Sequence, residues 1–439
     1  MSKLSKHRTL REFGRIYKES QVSNQDLDLI SIPDKEFNAL KKFIFDNADS
    51  SDFALSYFIK NHKETIRVNN YVGVIETNAG FVIEILPKIY QEDHPENIRR
   101  IFIQMLRYLK HSPFKSINPA HLNTKKFPVF EIFITAFLDE LDTLMKKGLK
   151  KFYTEQEENL NCLKGRIIFS KHIQKNLIHK ERMYVQYDEF SVDIPQNRIL
   201  KSAIAYLLGR SVLYKNRIRL NQYLQLWESI PVSFNLERDF NCINGHNRLY
   251  QHYDKSIQWA KVFLKGESFT NFNGKSLNTA ILFPMERIFE DYVAAMFAKF
   301  NPHNYKIKKQ DRRNHLVESH INKPKFLLKP DIVIENKGIP LAILDTKWKQ
   351  IDQNKPDKNY LISQSDMYQL YAYGKKYENN PALFLIYPRT EQFETLDAFI
   401  YEEKNLVLEA VSFDLSLNQE RIKEQIESFN FNKFDFEEI

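Results

Sequence analysis

The period of the apolar positions changes along the chain and predicts three segments, 1–95, 96–275 and 276–439. In the first, RTLREFGRIY reads as an opening strand, and FALSYFIKNHKETIRV leads into YVGVIET and FVIEILPKI. Those last two runs are separated by Asn78-Ala79-Gly80, and Asn78 and Gly80 suit positive φ, so they predict a β-hairpin that Pro87 ends. Phe81, Ile83 and Ile85 alternate with Val82, Glu84 and Leu86. That is only partly amphipathic, so one face is covered by protein or by a partner. From 96 the helical period dominates. ENIRRIFIQMLRYLK sets Ile98, Ile101, Met105 and Leu109 on one face, and PVFEIFITAFLDELDTLMKKGLKKFY reads as a long helix ending near Gly148. QNRILKSAIAYLLGRSVLY and RLNQYLQLWESI predict further helices, and this region is expected to be helical.

KGESFTNFNGKSLN, residues 265–278, is polar and rich in Gly, Asn and Ser, and is expected to be a linker. Beyond it ILFPMERIFEDYVAAMFAKF predicts a helix with Pro284 in its first turn. NYKIKKQ, KFLLKPDIVIENKG and IPLAILDTKW predict strands, SQSDMYQLYAYGKKY a helix, and ALFLIYP and AFIYEEKNLVLEAVSF strands again. The fold class expected is multi-domain α+β: an N-terminal β-rich domain, a central helical region and a C-terminal α/β domain with a mixed sheet.

Composition narrows this. The 439 residues are 43% hydrophobic, enough for more than one core, and 27% charged, which argues against a membrane protein. The net charge of +8 permits a polyanionic partner without requiring one. Cys162 and Cys242 lie far apart, which gives no disulfide framework or structural zinc site and fits a reducing cytoplasm. The basic start, MSKLSKHRTLREFGRIYK, has no apolar stretch of the kind a signal peptide needs.

The chemistry concentrates in residues 329–349, KPDIVIENKGIPLAILDTKWK, read as two strands around a turn at Gly338. Side chains alternate along a strand, so Leu341, Ile343, Asp345 and Lys347 share a face, and Asp331 begins the strand opposite. Two carboxylates so placed repel unless a cation lies between them. An upstream helix offers Glu290, with Glu286 as competitor, and a downstream helix sets Gln369 and Tyr373 four apart on one face.

Glu290, Pro330-Asp331, Asp345-Thr346-Lys347 and Gln369 with Tyr373 resemble the PD-(D/E)xK nuclease superfamily, and the Gln-xxx-Tyr helix resembles its RecB-like branch. REFGRIY, YVGVIETNAGFVIEILPKI, LKGRIIFSKHIQKN and VDIPQNRILKSAI, in that order before the nuclease residues, resemble the McrC family of restriction-system nuclease subunits. The resemblance implies a restriction-endonuclease-like C-terminal domain that cuts DNA. Asp331, Asp345, Glu290 and the backbone carbonyl of Thr346 would hold Mg²⁺, or Mn²⁺ in its place. Lys347 would orient water and stabilise the phosphate, with Gln369 in the catalytic group. It further implies an McrB-like hexameric AAA+ GTPase as partner, engaged by the segment 1–95, and targets carrying 5-methylcytosine.

The residues bear on this in several places. FTNFNGKS, 269–276, lacks the first glycine of a P-loop, so this chain is expected to bind no nucleotide itself. Gly165-Arg166, Asp193, Asn197 and Arg198 are expected to cap and brace helices, and Glu84 and Lys88 to be solvated or structural. KIKKQDRR, 306–313, is a candidate phosphate track. Two other readings stand beside this one: a stand-alone RecB-like nuclease in repair or phage defence, and a GTPase-activating scaffold with a decayed site. The complete acid–acid–lysine set speaks against decay.

Overall fold

The computed structural model describes residues 7–21, 26–47, 53–78, 80–89, 94–110, 112–118, 127–243, 248–265, 277–301, 303–401, 406–415, 418–429 and 431. In chain order its first elements are β1 (His7–Arg11), β2 (Arg15–Lys18), β3 (Leu29–Ile32), α1 (Asp34–Asp46), β4 (Leu55–Lys60), β5 (Lys63–Val68), β6 (Tyr71–Thr77), β7 (Val82–Leu86) and α2 (Pro95–Leu106). Then come α3 (Val129–Lys147), β8 (Phe152–Leu160), β9 (Arg166–Ile167), α4 (Phe169–Asn176), β10 (Met183–Ser191), α5 (Pro195–Leu208), α6 (Tyr214–Leu226), α7 (Leu236–Cys242) and α8 (Asp254–Lys265). The last stretch holds β11 (Leu277–Pro284), α9 (Met285–Lys299), β12 (Lys306–Lys309), β13 (His315–His320), β14 (Lys323–Leu327), β15 (Ile332–Asn336) and β16 (Ile339–Thr346). It closes with α10 (Gln364–Lys376), β17 (Ala382–Pro388), β18 (Phe399–Ile400), β19 (Val407–Phe413) and α11 (Gln419–Glu427). Contacts divide the chain into two units, one of Met1–Val129 with Ser268–Ile439 and one of Phe130–Glu267.

The first unit begins where the expected opening strand breaks. Phe13 takes φ 62° and Gly14 follows, so RTLREFGRIY is two strands, β1 and β2, in different sheets. One sheet runs β3-β2-β5-β4; the other runs β1-β7-β6-β11, with β1 parallel to β7. Gly80, at φ 74°, turns the β6–β7 hairpin. Glu84 on β7 is not solvated. It is fully buried, grips the Arg99 guanidinium of α2 at 2.7–3.0 Å, and accepts from Thr9 Oγ1 (3.0 Å) and Val129 N (2.8 Å). A buried carboxylate is tolerated because every approach to it is a donor.

β11 corrects the sequence reading. Ile281, Leu282 and Phe283 were expected in a helix, yet they pair antiparallel with β6. The residue before a proline is pushed towards extended backbone, and Pro284 at φ −68° then caps the helix that starts at Met285. The close approach requires glycine on β6: a Cβ on Gly73, which has φ 136°, would stand 2.0 Å from the Ile281 carbonyl oxygen.

The C-terminal segment forms a six-stranded mixed sheet, β12-β15-β16-β17-β19-β18. β15 and β16 are a hairpin through Lys337 (φ 49°) and Gly338 (φ 90°), the two positive-φ positions of a type I′ turn. β17 then lies parallel to β16, and β19 parallel to β17. Val333, Ile343, Leu383 and Leu385 pack with Leu370 and Tyr373 of α10. Elsewhere in the segment Phe289 of α9 meets Trp348 (5.3 Å) and Phe413 (6.3 Å). The β13–β14 hairpin, mostly exposed, had no apolar signature to announce it.

The second unit is not helical throughout: β8-β10-β9 form a three-stranded antiparallel sheet. Its strand FYTEQEENL buries too little to show an apolar period. The helices pack around Phe133, Phe137, Trp259 and Phe263, with the last two stacked at 5.8 Å. Bracing holds for Asp193, Asn197 and Arg198. Arg198 clamps Asp193 and Asp239 at 2.8 Å each, and buried Asn197 joins Lys150 O, Val192 O and Tyr253. The linker stretch 266–276, including all of the P-loop-like run, lies outside the described residues. Among the described residues no helix is long and apolar enough to cross a membrane.

Gly73→Ala is expected to lose about 2–3 kcal/mol of stability, because a positive φ and a backbone collision combine there. Urea denaturation measures it; a midpoint equal to that of the unsubstituted protein would refute the requirement for glycine.

Candidate active site

The register of the β15–β16 hairpin builds the site. Ile332 pairs with Leu344 and Val333 with Ile343, so one step further Asp331 stands opposite Asp345. Both therefore share the face of Val333 and Ile343, the face that α10 covers. The expected set needs one change. A bulge opposite Ile334–Glu335 leaves Leu341 out of the pairing, so the regular alternation begins at Ala342.

Asp345 is 1% exposed, and its Oδ2 receives the Lys347 ammonium. The same Nζ donates to Gln369 Oε1 at 3.2 Å, and Gln369 Nε2 donates to the Tyr373 hydroxyl at 2.7 Å. α10 is started by Ser363, whose side chain accepts from Asp366 N, and this fixes where Gln369 and Tyr373 emerge. Asp331 Oδ2 is held by two 2.7 Å bonds, from Thr346 N and Thr346 Oγ1. Lys347 N bonds Ile386 O on β17 at 2.8 Å, which keeps the strand end in the sheet.

Glu290 arrives from α9, flanked by the buried Phe289 and Val293. Gln310 joins it to the strand end: its side chain donates to Glu290 Oε1 (2.9 Å) and its backbone N to Asp331 O (2.8 Å). Glu286, the competitor, is exposed and bonded to Asn70 instead. Thus Asp331, Asp345, Thr346, Lys347, Gln369 and Tyr373 come together, with Glu290 beside them.

The electrostatics follow from burial of like charges. Glu290 is pushed up to about 7, first by burial and then by Asp331, Asp291 and Asp345, against the Gln310 bond. Asp345 is pushed up to about 7 by burial and by Asp331. Asp331 is also raised by burial, in spite of its Thr346 bonds. Burial alone lowers Lys347, but attraction to Asp345 and Asp331 outweighs it and raises the lysine, so it stays an ammonium. These are oxygen donors with an excess of negative charge, the kind of set that Mg²⁺ accepts while keeping several waters. Among the described residues no three His, Cys, Asp or Glu side chains are gathered so that they could hold a metal ion by themselves.

Several participants were not legible. Gln310 sits inside KIKKQDRR, and three of that run's five cations are paired within the protein while Lys306 and Arg312 are exposed. Lys308 and Arg313 pair with Glu335, Lys309 with Asp291, and Arg313 also with Asp311. Asp366, 5% exposed, pairs with Lys349 at 2.8 Å and adds negative field at Asp345. Glu12, 1% exposed, accepts from Trp348 Nε1 at 2.8 Å, directly after Lys347 in the chain. No local pattern around REFGRIY separates Glu12 from a surface acid.

A family model described as McrBC 5-methylcytosine restriction system component matches residues 66–388. No curated protein matches the sequence. Among solved structures, the chain is similar to one from a refined half-complex of a tetradecameric assembly of Thermococcus gammatolerans McrB AAA+ hexamers with bound McrC. That match has 18% identity and a TM-score of 0.68, covering 96% of this chain and 99% of that one. A second match, to a cryo-EM structure of the Thermococcus gammatolerans McrBC complex, has 19% identity and a TM-score of 0.49, covering 69% and 89%. The family resemblance read from the sequence is borne out.

Both raised carboxylates make the folded state bind extra protons between their unfolded values, 4.5 for Glu290 and 3.8 for Asp345, and about 7. The stability they contribute is complete at the acid end and is lost as pH rises through 7. Glu290→Gln is therefore expected to reduce, by roughly 2–4 °C, the fall in Tm between pH 5 and pH 8 in EDTA. Scanning calorimetry at both pH values decides it, and an unchanged fall would remove Glu290 from the cluster.

Proposed function

The chain belongs to the McrBC 5-methylcytosine restriction system component family, and we propose that within it this protein is the McrC-like nuclease subunit, a Mg²⁺-dependent DNA endonuclease driven by an McrB-like AAA+ GTPase hexamer. The observation that carries the nuclease reading is the convergence of Asp331, Asp345, Lys347 and Gln369 at the end of β16, with Glu290 beside them. It supports a PD-(D/E)xK core in the C-terminal segment.

Asp331 and Asp345, with Glu290 and the Thr346 carbonyl, would hold a divalent cation, Mg²⁺ with Mn²⁺ as its substitute. Bound there, such an ion would supply Lewis-acid charge to the phosphate and to the attacking water. The protein's own groups do the rest. The three acids, raised first by burial, hold extra protons that compete with a cation, so the site's preference for metal would grow as pH rises. Lys347, kept protonated, orients the attacking water and stabilises charge on the phosphate instead of removing a proton. Gln369 fixes the ammonium between itself and Asp345, and Tyr373 fixes Gln369. Water attacks phosphorus, and the bond to the leaving alkoxide breaks.

The sequence suggested residues 1–95 as the surface for the GTPase ring. A second surface competes. In the second unit, Phe169, Ile173 and Leu177 recur every four residues along and just past α4 and are 68%, 61% and 73% exposed; Ile178 is 85% exposed. An apolar stripe of that kind marks a partner site. We favour it for the ring, because the apolar residues of β6 and β7 are almost all buried within their own unit.

Asp345→Ala and Lys347→Ala are expected to reduce cleavage of methylated DNA by at least about 100-fold in the presence of partner GTPase, GTP and Mg²⁺, with the circular-dichroism melt preserved. Undiminished cleavage by either folded variant would end the nuclease reading. Ile173→Asp is expected to abolish stimulation of the partner's GTP hydrolysis while leaving the melt unchanged, and full stimulation would return the ring contact to residues 1–95.

A further inference from the structure

The break between β1 and β2 opens on a cavity of ≈ 450 Å³ in the first unit, whose lining includes Glu12, Phe13, Arg67, Lys88, Trp348 and Lys349. Three of its features are not explained by folding. The first is Glu12. Its Oε1 accepts from Lys88 N at 2.7 Å and from Trp348 Nε1 at 2.8 Å, but its Oε2 is buried with no hydrogen-bond partner. Burial pushes this acid up to about 8, so at neutral pH Oε2 carries the proton, and a buried carboxyl O–H left without an acceptor is costly and rarely kept without a use. The second is Phe13, which holds a left-handed φ of 62° and still leaves its ring 38% exposed. Strain of this sort concentrates where a side chain is presented to something. The third is charge. The Arg67 guanidinium lies 5.6 Å from the Phe13 ring centroid, and Lys88 and Lys349 also line the cavity.

The cavity's place matters as much as its lining. Trp348 and Lys349 follow Lys347 directly, and at about 3.3 Å per residue Lys349 lies roughly 7 Å along the chain from it. Pro388, also in the lining, ends β17, the parallel neighbour of β16. The cavity and the carboxylates thus lie at the same ends of the same two strands.

An anion site, a flat aromatic face and a buried carboxyl O–H in want of an acceptor together describe one ligand class. A metal ion would meet the cations, and a simple anion would leave Phe13 unused. A nucleotide satisfies all three: every base has a π face and hydrogen-bond acceptors on its edge, and every link in the strand carries a phosphate.

From this we infer that the cavity is a subsite for one nucleotide of the DNA strand next to the scissile phosphate. The base stacks on Phe13, the Glu12 carboxyl O–H donates to an acceptor on the base edge, and the phosphate faces Arg67 and Lys88. The inference rests on the nuclease reading for its strand but not for its test.

The test is fluorescence anisotropy of a 5′-labelled single-stranded deoxyribonucleotide 12-mer with the whole chain in EDTA, where no cutting occurs. Phe13→Gly removes the ring and relieves the strained φ, so it should fold at least as well as the original and bind about tenfold more weakly. Arg67→Ala should weaken binding and reduce the slope of log Kd against log salt by about one. Glu12→Leu, which removes the carboxyl donor, should weaken binding several-fold, and Glu12→Gln, which keeps one acceptor and one donor, should weaken it less. Unchanged affinity and salt slope in both Phe13→Gly and Arg67→Ala would overturn the subsite, even if the unsubstituted protein cuts DNA. Weakened binding in those variants, with a protein that never cuts, would keep the strand site and remove the nuclease reading instead. Displacement of the 12-mer by GTP, lost in Phe13→Gly, would reassign the cavity to a free nucleotide and overturn the proposal.

Discussion

The pairing of β6 with β11 is the constraint on which the rest of the first unit depends. It joins strands some two hundred residues apart, and loop closure over that distance must be offset by what the pairing buries. What it buries is near-continuous: the described side chains of both strands are almost all out of water. Gly73 permits the approach, since any Cβ there would overlap the Ile281 carbonyl. Once β11 is placed, Pro284 ends it and α9 begins, with Met285 N bonded to Asn70 O at 2.9 Å. Glu290 follows one turn later, so an N-terminal strand sets the position of an acid that the C-terminal sheet requires.

A second consequence is electrostatic. Bringing Glu290 up to Asp331 and Asp345 adds negative charge where burial already disfavours it: all three acids are raised, first by burial, and Asp331 adds to the rise of Glu290 and Asp345. Lys347 answers part of that charge, and the Thr346 bonds answer part of Asp331's. The remainder is a deficit of positive charge in a pocket of oxygens. A site built only for stability would not keep it, since apolar replacement of buried charges is often neutral or better. Glu84 shows the contrast: equally buried, it is met by a guanidinium, a hydroxyl and a backbone N–H, and its pKa is lowered.

Legibility in the sequence varied with how local the cause was. The β15–β16 hairpin could be read because its strands alternate and Gly338 marks its turn. SQSDMYQLYAYGKKY likewise read as a helix, with Gln369 and Tyr373 four apart on one face. The strand 277–284 was misread because Ile281–Phe283 run on into a helical pattern, and only the pairing with β6 makes them extended. The sheet of β8, β9 and β10 was missed because largely exposed strands carry no apolar period. KIKKQDRR looked like a run of available cations, but Glu335 and Asp291 are brought to Lys308, Lys309 and Arg313 from elsewhere. Glu12 gave no signal at all, since burial of a single acid is a property of its surroundings.

By itself, then, the sequence determined the chemistry at the end of β16: two aspartates set opposite one another by strand alternation and a two-residue turn, with a lysine two places on. Those relations span a few residues, and backbone geometry carries them without help. Only the tertiary structure decided that Glu290 and not Glu286 stands beside the aspartates, that Glu12 reaches Trp348, and that Lys308, Lys309 and Arg313 of the basic run are spent on internal pairs. Each of these depends on which distant surfaces are pressed together and closed to water, and burial of that kind is written nowhere in the local order of residues.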